Sequence, residues 1–183
     1  TVFPAGKDGF EAVIENGTIT GKTNTGEKFS GKRVVRVSPT MGAKCPAGGI
    51  VLFDGTNTDA WKDGKIDKRG LLIDGAETRE NIPDGTLHLE FLLPFKPETK
   101  GQDRGNSGLY FQKRYEVQVL DSFGDDPADN LCGGIYKIAT PLVCASLPPE
   151  EWQTYDITFT APTFDEAGKK LQNARITVVH NGI

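Results

Sequence analysis

Four stretches of this chain alternate apolar and polar residues with a period of two, and no stretch holds a 3.6-residue period for more than two turns. In residues 86–93, Leu87, Leu89, Phe91 and Leu93 fall on one face, with His88 and Glu90 on the other. Residues 107–121 read as two strands with the polar Lys113-Arg114 pair between them. In residues 152–160, Trp152, Thr154, Asp156 and Thr158 oppose Gln153, Tyr155, Ile157 and Phe159, and residues 174–180 make a further strand. Successive strand side chains point to opposite faces, so each segment can bury one face and leave the other for solvent or chemistry. Short strands at regular spacing with turn signals between them predict an all-β sandwich. The 22 glycines and 11 prolines supply the turns.

A chain of 183 residues suits one domain with an appendage. Residues 1–49 are read as an N-terminal arm. Phe10 to Ile14 and Thr18 to Thr20 flank Asn16-Gly17, the dipeptide of a type I′ hairpin. A further strand is expected over 32–37, and 38–49 as a linker or an arm laid over the domain. The main domain, 50–183, opens with a strand at 50–53. The formal charge of −4 comes without a Lys/Arg stripe interleaved with aromatics, so nucleic acid is not the expected partner. No apolar run approaches the ~20 residues of a membrane-spanning helix. The chain begins at Thr1 with no leader, which is expected to have been removed. Asn181-Gly182 closes a strand with a hairpin turn just before Ile183. A return strand is therefore expected beyond it, and the sandwich is read as truncated there.

The three cysteines form no C-x-x-C and no Cys/His cluster. Cys132 and Cys144 flank a predicted strand at 134–138 and could meet as a disulfide worth roughly 3 kcal/mol, or could stay buried as thiols. Their presence leans towards an oxidising compartment. No cofactor is expected. Asp125, Asp126 and Asp129 could hold a divalent cation, but their spacing fits no EF-hand, and a solvated acidic loop is the simpler reading.

Glu116 and Gln118 stand two apart on one strand face, roughly 7 Å at ~3.3–3.4 Å per residue. That spacing suits gripping a sugar ring or delivering a base to one. The ordered set Leu52-Phe53-Asp54-Gly55-Thr56 with Trp61, Leu87 to Phe91, Gly105-Asn106-Ser107-Gly108, Tyr115 to Asp121, Gly134-Ile135-Tyr136 and Glu151 to Asp156 resembles the 3-keto-disaccharide hydrolase domain family. The resemblance covers about residues 50–183. It implies a concanavalin A-like jelly roll, a secreted or periplasmic bacterial setting, and a 3-keto-glycoside as small-molecule partner.

Glucanases of that shape commonly carry two acids four positions apart on one strand. Position 120 here is Leu, so a second carboxylate must come from another strand, with Glu90 the candidate. A 3-keto substrate also allows a single base. Its ketone acidifies the C2 proton, and removing that proton expels the C1 substituent by β-elimination, with water adding later. The candidate catalytic residues are thus Glu116, Glu90 and His88, placed on the same side of the sandwich. For Glu116 a structural carboxylate or a direct sugar contact is the alternative. Gln118, Arg104, Asn106, Tyr110, Gln112, Tyr136 and Lys137 are the candidate substrate contacts. Arg104 and Lys137 would polarise the ketone or enolate and the tyrosines would stack; solvated cations and packed rings are the competing readings. Trp61, Trp152 and Tyr155 are assigned to the core. The expected activity is glycosidic cleavage of 3-keto-glycosides; the alternative is a non-catalytic carbohydrate-binding sandwich.

Overall fold

The structure is a computed structural model that describes residues 1–6 and 8–183. The chain divides into two compact units, Thr1–Arg36 and Val37–Ile183.

The first unit is a four-stranded antiparallel sheet in the order β1-β2-β3-β4, formed by β1 (Val2–Phe3), β2 (Glu11–Glu15), β3 (Thr18–Lys22) and β4 (Lys28–Lys32). Asn16 (φ 49°) and Gly17 (φ 73°) make the turn predicted between β2 and β3. The strand expected at 32–37 lies earlier instead. Thr23 Oγ1 accepts from the N–H groups of Thr25 and Glu27, and Thr23 N–H donates to Glu27 O. That tight turn sends the chain back at once, so pairing starts at Lys28 opposite Lys22.

The second unit is a sandwich. One layer is an antiparallel sheet of β7 (Gly85–Leu92), β10 (Trp152–Thr160) and β13 (Arg175–His180), ordered β13-β10-β7. The other is the hairpin of β8 (Ser107–Phe111) and β9 (Tyr115–Val119). Short ribbons flank them: β5 (Trp61–Lys62) with β6 (Glu77–Thr78), and β11 (Thr163–Phe164) with β12 (Lys170–Gln172). No α-helix occurs among the described residues, and no helix is long and apolar enough to cross a membrane.

The core lies between the layers because each contributes the apolar half of its alternation. Val117, Val119, Leu109 and Phe111 from the hairpin meet Tyr155, Ile157, Leu89, Phe91, Ile176 and Val178 from the sheet. Phe111 stacks on Phe159 with centroids 4.9 Å apart, and Phe91 lies 4.8 Å from Tyr155. The fully buried Tyr155 hydroxyl donates to Gln118 O across the core at 2.6 Å and sits 3.0 Å from Cys132 Sγ. Burial among apolar groups pushes the Tyr155 phenol well above its usual range.

Several local expectations are corrected. Residues 50–53 form no strand; Leu52 instead offers its carbonyl to Trp61 Nε1 at 2.7 Å. Residues 134–138 form a tight turn with single bridges, Val117↔Ile135 and Ile135↔Ala139, because Ile138 N–H and Ala139 N–H both fold back onto Ile135 O. Trp152 lies at the β10 end, 41% exposed, on the outer face rather than in the core. The cysteines are free thiols. Cys132 is turned to the Tyr155 hydroxyl and Cys144 donates to Ser122 O, so each sulfur has an oxygen partner in place of a disulfide.

Candidate functional site

The sandwich has two outward faces, and the structure separates the predicted catalytic residues between them. Val117 points inward, so Glu116 and Gln118 point outward from the hairpin. Leu89 and Phe91 point inward from β7, so His88 and Glu90 point outward from the opposite layer. The expectation that Glu116, Glu90 and His88 share one side is therefore corrected: the whole core lies between them, and they cannot act on one sugar ring.

The Glu116 face is built on three lanes. On one side of β9, Tyr110 is the register partner of Glu116 and Gly108 that of Gln118. On the other, residues 133–136 run antiparallel to β9. Gln118 N–H donates to Gly134 O (2.9 Å), Gly133 N–H to Gln118 O (3.1 Å) and Tyr136 N–H to Glu116 O (2.9 Å). Cross-strand partners share a face, so Glu116 stands between Tyr110 and Tyr136. A hydrogen bond to the Glu116 carboxylate, together with its negative charge, holds the Tyr110 phenol above its usual pKa. Gly108 has no side chain for a reason: a Cβ there would overlap the Glu116 carboxylate, which lies across it.

Lys137 rims this row. Its backbone is left-handed (φ 56°), uncommon for a residue with a side chain, and its Nζ lies 5.2 Å from the Tyr136 ring centroid. Tyr110 is 63% exposed and Glu116 half-buried, so the row presents two aromatic rings, a carboxylate and an ammonium on one accessible surface.

Other predicted contacts fall elsewhere. Gln118 is 1% exposed, and its Nε2 donates to Gln102 Oε1 (2.9 Å) and Asn130 O (3.4 Å). Gln102 Nε2 also donates to Asn130 O, at 2.9 Å. The expected sugar-binding amide is thus corrected to a tie beneath the face, joining the 3₁₀ turn Gly101–Asp103 to the loop at Asn130. Arg104 is no free cation: its Nη2 pairs with Asp121 at 2.5 Å, a carboxylate 1% exposed. Such a buried carboxylate requires a partner, which withdraws Arg104 from the ketone-polarising role. Asn106 is exposed just before β8. Gln112 (φ 52°) and Lys113 (φ 56°) make the hairpin tip, and Lys113 Nζ pairs with Glu77 at 2.8 Å, which lowers the Glu77 carboxyl.

The second outward face holds a cluster whose third member was absent from the sequence-level candidates. His88 Nδ1 lies 2.7 Å from Asp156 Oδ1, and His88 Nε2 lies 3.4 Å from Glu90 Oε1. Alternation puts Asp156 on the outward face of its strand, but only the register Asp156↔His88 brings it to the imidazole. Among the described residues, no three His, Cys, Asp or Glu side chains come together in a way that could hold a metal ion. A groove of about 450 Å³ in the first unit is lined by Val2, Phe3, Ala12, Gly21 and the Glu11–Lys22 ion pair (2.9 Å), among others. Its charged pair is already satisfied, so the chemistry is better sought at Glu116.

The sequence profile of the 3-keto-alpha-glucoside-1,2-lyase-like domain matches residues 48–183. The chain belongs to that family. A crystal structure of a candidate glycosyl hydrolase from Parabacteroides distasonis is similar at 36% identity and a TM-score of 0.65, over 73% of this chain. The chain spans 61% of that neighbour's length. No protein of curated function matches the chain. The family and this neighbour bear out the predicted β-sandwich.

Proposed function

We propose that the second unit cleaves the glycosidic bond of a 3-keto-glycoside, with Glu116 as the base. The observation that carries this reading is the Glu116 carboxylate between Tyr110 and Tyr136, lying over a glycine that leaves it room. Glu116 takes the proton from C2, and the electron pair passes into an enolate on the C3 oxygen, beside which the Lys137 ammonium is the available cation. As the enolate collapses, a C1=C2 double bond forms, the C1–O bond breaks, and the leaving oxygen takes a proton. Water then adds across the double bond to complete hydrolysis. Tyr110, already hydrogen-bonded to Glu116, is the proton carrier nearest the base.

Incubation of the protein with a 3-keto-glucoside and with the parent glucoside tests this, repeated with Glu116→Gln. Turnover of the keto-sugar alone, lost in the variant, supports it. Full activity in the variant removes Glu116 as base. Saturable binding of both sugars with turnover of neither supports the alternative, a carbohydrate-binding module, which the exposed Tyr110 ring favours as a stacking surface.

A further inference from the structure

On the outer face of the β7–β10–β13 sheet, both ring nitrogens of His88 look at carboxylate oxygens. A neutral imidazole carries one N–H and one lone pair, so it can satisfy only one of them as donor; an imidazolium donates to both. Those same carboxylates hold a passing segment of chain. Thr40 Oγ1 donates to Asp156 Oδ2 at 2.7 Å, and Gly42 N–H donates to Glu90 Oε1, the very oxygen that faces His88 Nε2. The buried Ser38 hydroxyl meets Thr154 Oγ1 at 2.5 Å, and Thr40 Oγ1 meets it at 3.1 Å. Pro39 packs on Gly182 (φ 82°), where any Cβ would overlap the proline ring.

We propose that His88, as an imidazolium bridging Asp156 and Glu90, latches residues 38–42 onto this sheet and releases the Gly42 end when it loses its second proton.

The groups facing the latch are few. β7 presents Thr86, His88 and Glu90; β10 presents Trp152, Thr154, Asp156 and Thr158; β13 presents Val179, Thr177 and, at the far end, Arg175 opposite Thr160. Residues 38–42 are Ser, Pro, Thr, Met and Gly, and Lys44 beyond them is exposed. Asp156 and Glu90 therefore flank one titratable ring. Loss of its proton sets a lone pair on Nε2 against Glu90 Oε1 and leaves two negative charges unbridged. Glu90 then turns to water, and Gly42 N–H loses its acceptor. The Ser38–Thr154 contact carries no charge and keeps its hold. The device is independent of the Glu116 reading, since it lies on the other layer.

Amide exchange of Gly42 in the full chain, followed by NMR and corrected for intrinsic rates, tests the proposal. The Ile157 amide serves as reference for global opening. Protection of Gly42 should fall about tenfold as the His88 ring passes from imidazolium to neutral, the loss of one charge-assisted hydrogen bond, while Ile157 stays protected. In His88→Gln the Gly42 profile should be flat. Unchanged protection in the wild type, or the same fall in His88→Gln, would overturn the latch. Nitrogen shifts of the His88 ring in the unaltered protein give a test that needs no variant. Both nitrogens should be protonated wherever Gly42 is protected, and a neutral ring with Gly42 still protected defeats the proposal.

Discussion

Tyr110 and Glu116 oppose each other across the β8–β9 hairpin, and the carboxylate keeps the phenol protonated to higher pH than an ordinary tyrosine. The sign follows from charge: the phenol donates to the carboxylate only while neutral, and a phenolate beside it would be repelled. Glu116→Gln removes the charge, so the Tyr110 pKa should move back down towards about 10. Ultraviolet difference titration against Tyr110→Phe reads this without any substrate. If the base assignment holds, the same variant should lose about 10²- to 10⁴-fold in turnover of a 3-keto-glucoside.

Gly108→Ala probes the same carboxylate from below. Its methyl overlaps Glu116 and must displace it. We expect turnover to fall about as far as misplacing a catalytic group by 1 Å costs, near 10²-fold, with the circular dichroism of the folded chain retained. Wild-type rates would show that the position of Glu116 is immaterial.

Gln118→Ala removes a buried amide and leaves Gln102 Oε1 and Asn130 O without that donor. A loss of about 1–3 kcal/mol in denaturant melts is expected. A change within a few tenths of a kcal/mol would mean that water takes over the tie.

The thiols should report three environments. Cys45 is exposed, Cys144 is half-buried and Cys132 is 2% exposed. Under non-reducing conditions a chromogenic disulfide reagent should titrate Cys45 first and all three thiols after denaturation. Two thiols missing from the denatured protein would restore the Cys132–Cys144 disulfide.

Alkaline stability follows from the same region. Burial raises the Cys132 thiol, and burial with the nearby Cys132 raises the Tyr155 phenol. Groups whose folded pKa lies above the unfolded value give stability that is intact below the unfolded pKa and lost as pH rises beyond it. Unfolded thiols and phenols ionise near about 8.5 and 10. The Tm should therefore decline from about pH 8.5 upwards, and Tyr155→Phe with Cys132→Ala should flatten that decline. An equally steep decline in the double variant would place the alkaline lability elsewhere.

Strand positions and their inward faces were legible in the residues. Leu87 to Phe91 and Gln153 to Phe159 alternate so regularly that one face of each is suited to the core, and β7 and β10 form there. The I′ turn at Asn16-Gly17 was equally plain, since few residues other than Asn and Gly accept two successive positive φ angles. Segments without alternation misled: Ile50 to Phe53 is apolar yet pairs with no strand, and Gly134 to Ile138 curls back on itself.

Alternation determined, from sequence alone, which side chains leave each strand outward, and so marked Glu116, Glu90 and His88 as residues free for chemistry. It carried no information on which layer of the sandwich each strand joins, because period two is a property within a strand and layer choice is a property of long-range pairing. Tertiary structure decided that, putting Glu116 on one surface and His88 with Glu90 on the other. It also decided which polar groups were already taken, since Gln118, Arg104 and His88 each find a partner 12 to 68 residues away in the chain, which only long-range strand pairing and packing bring to them.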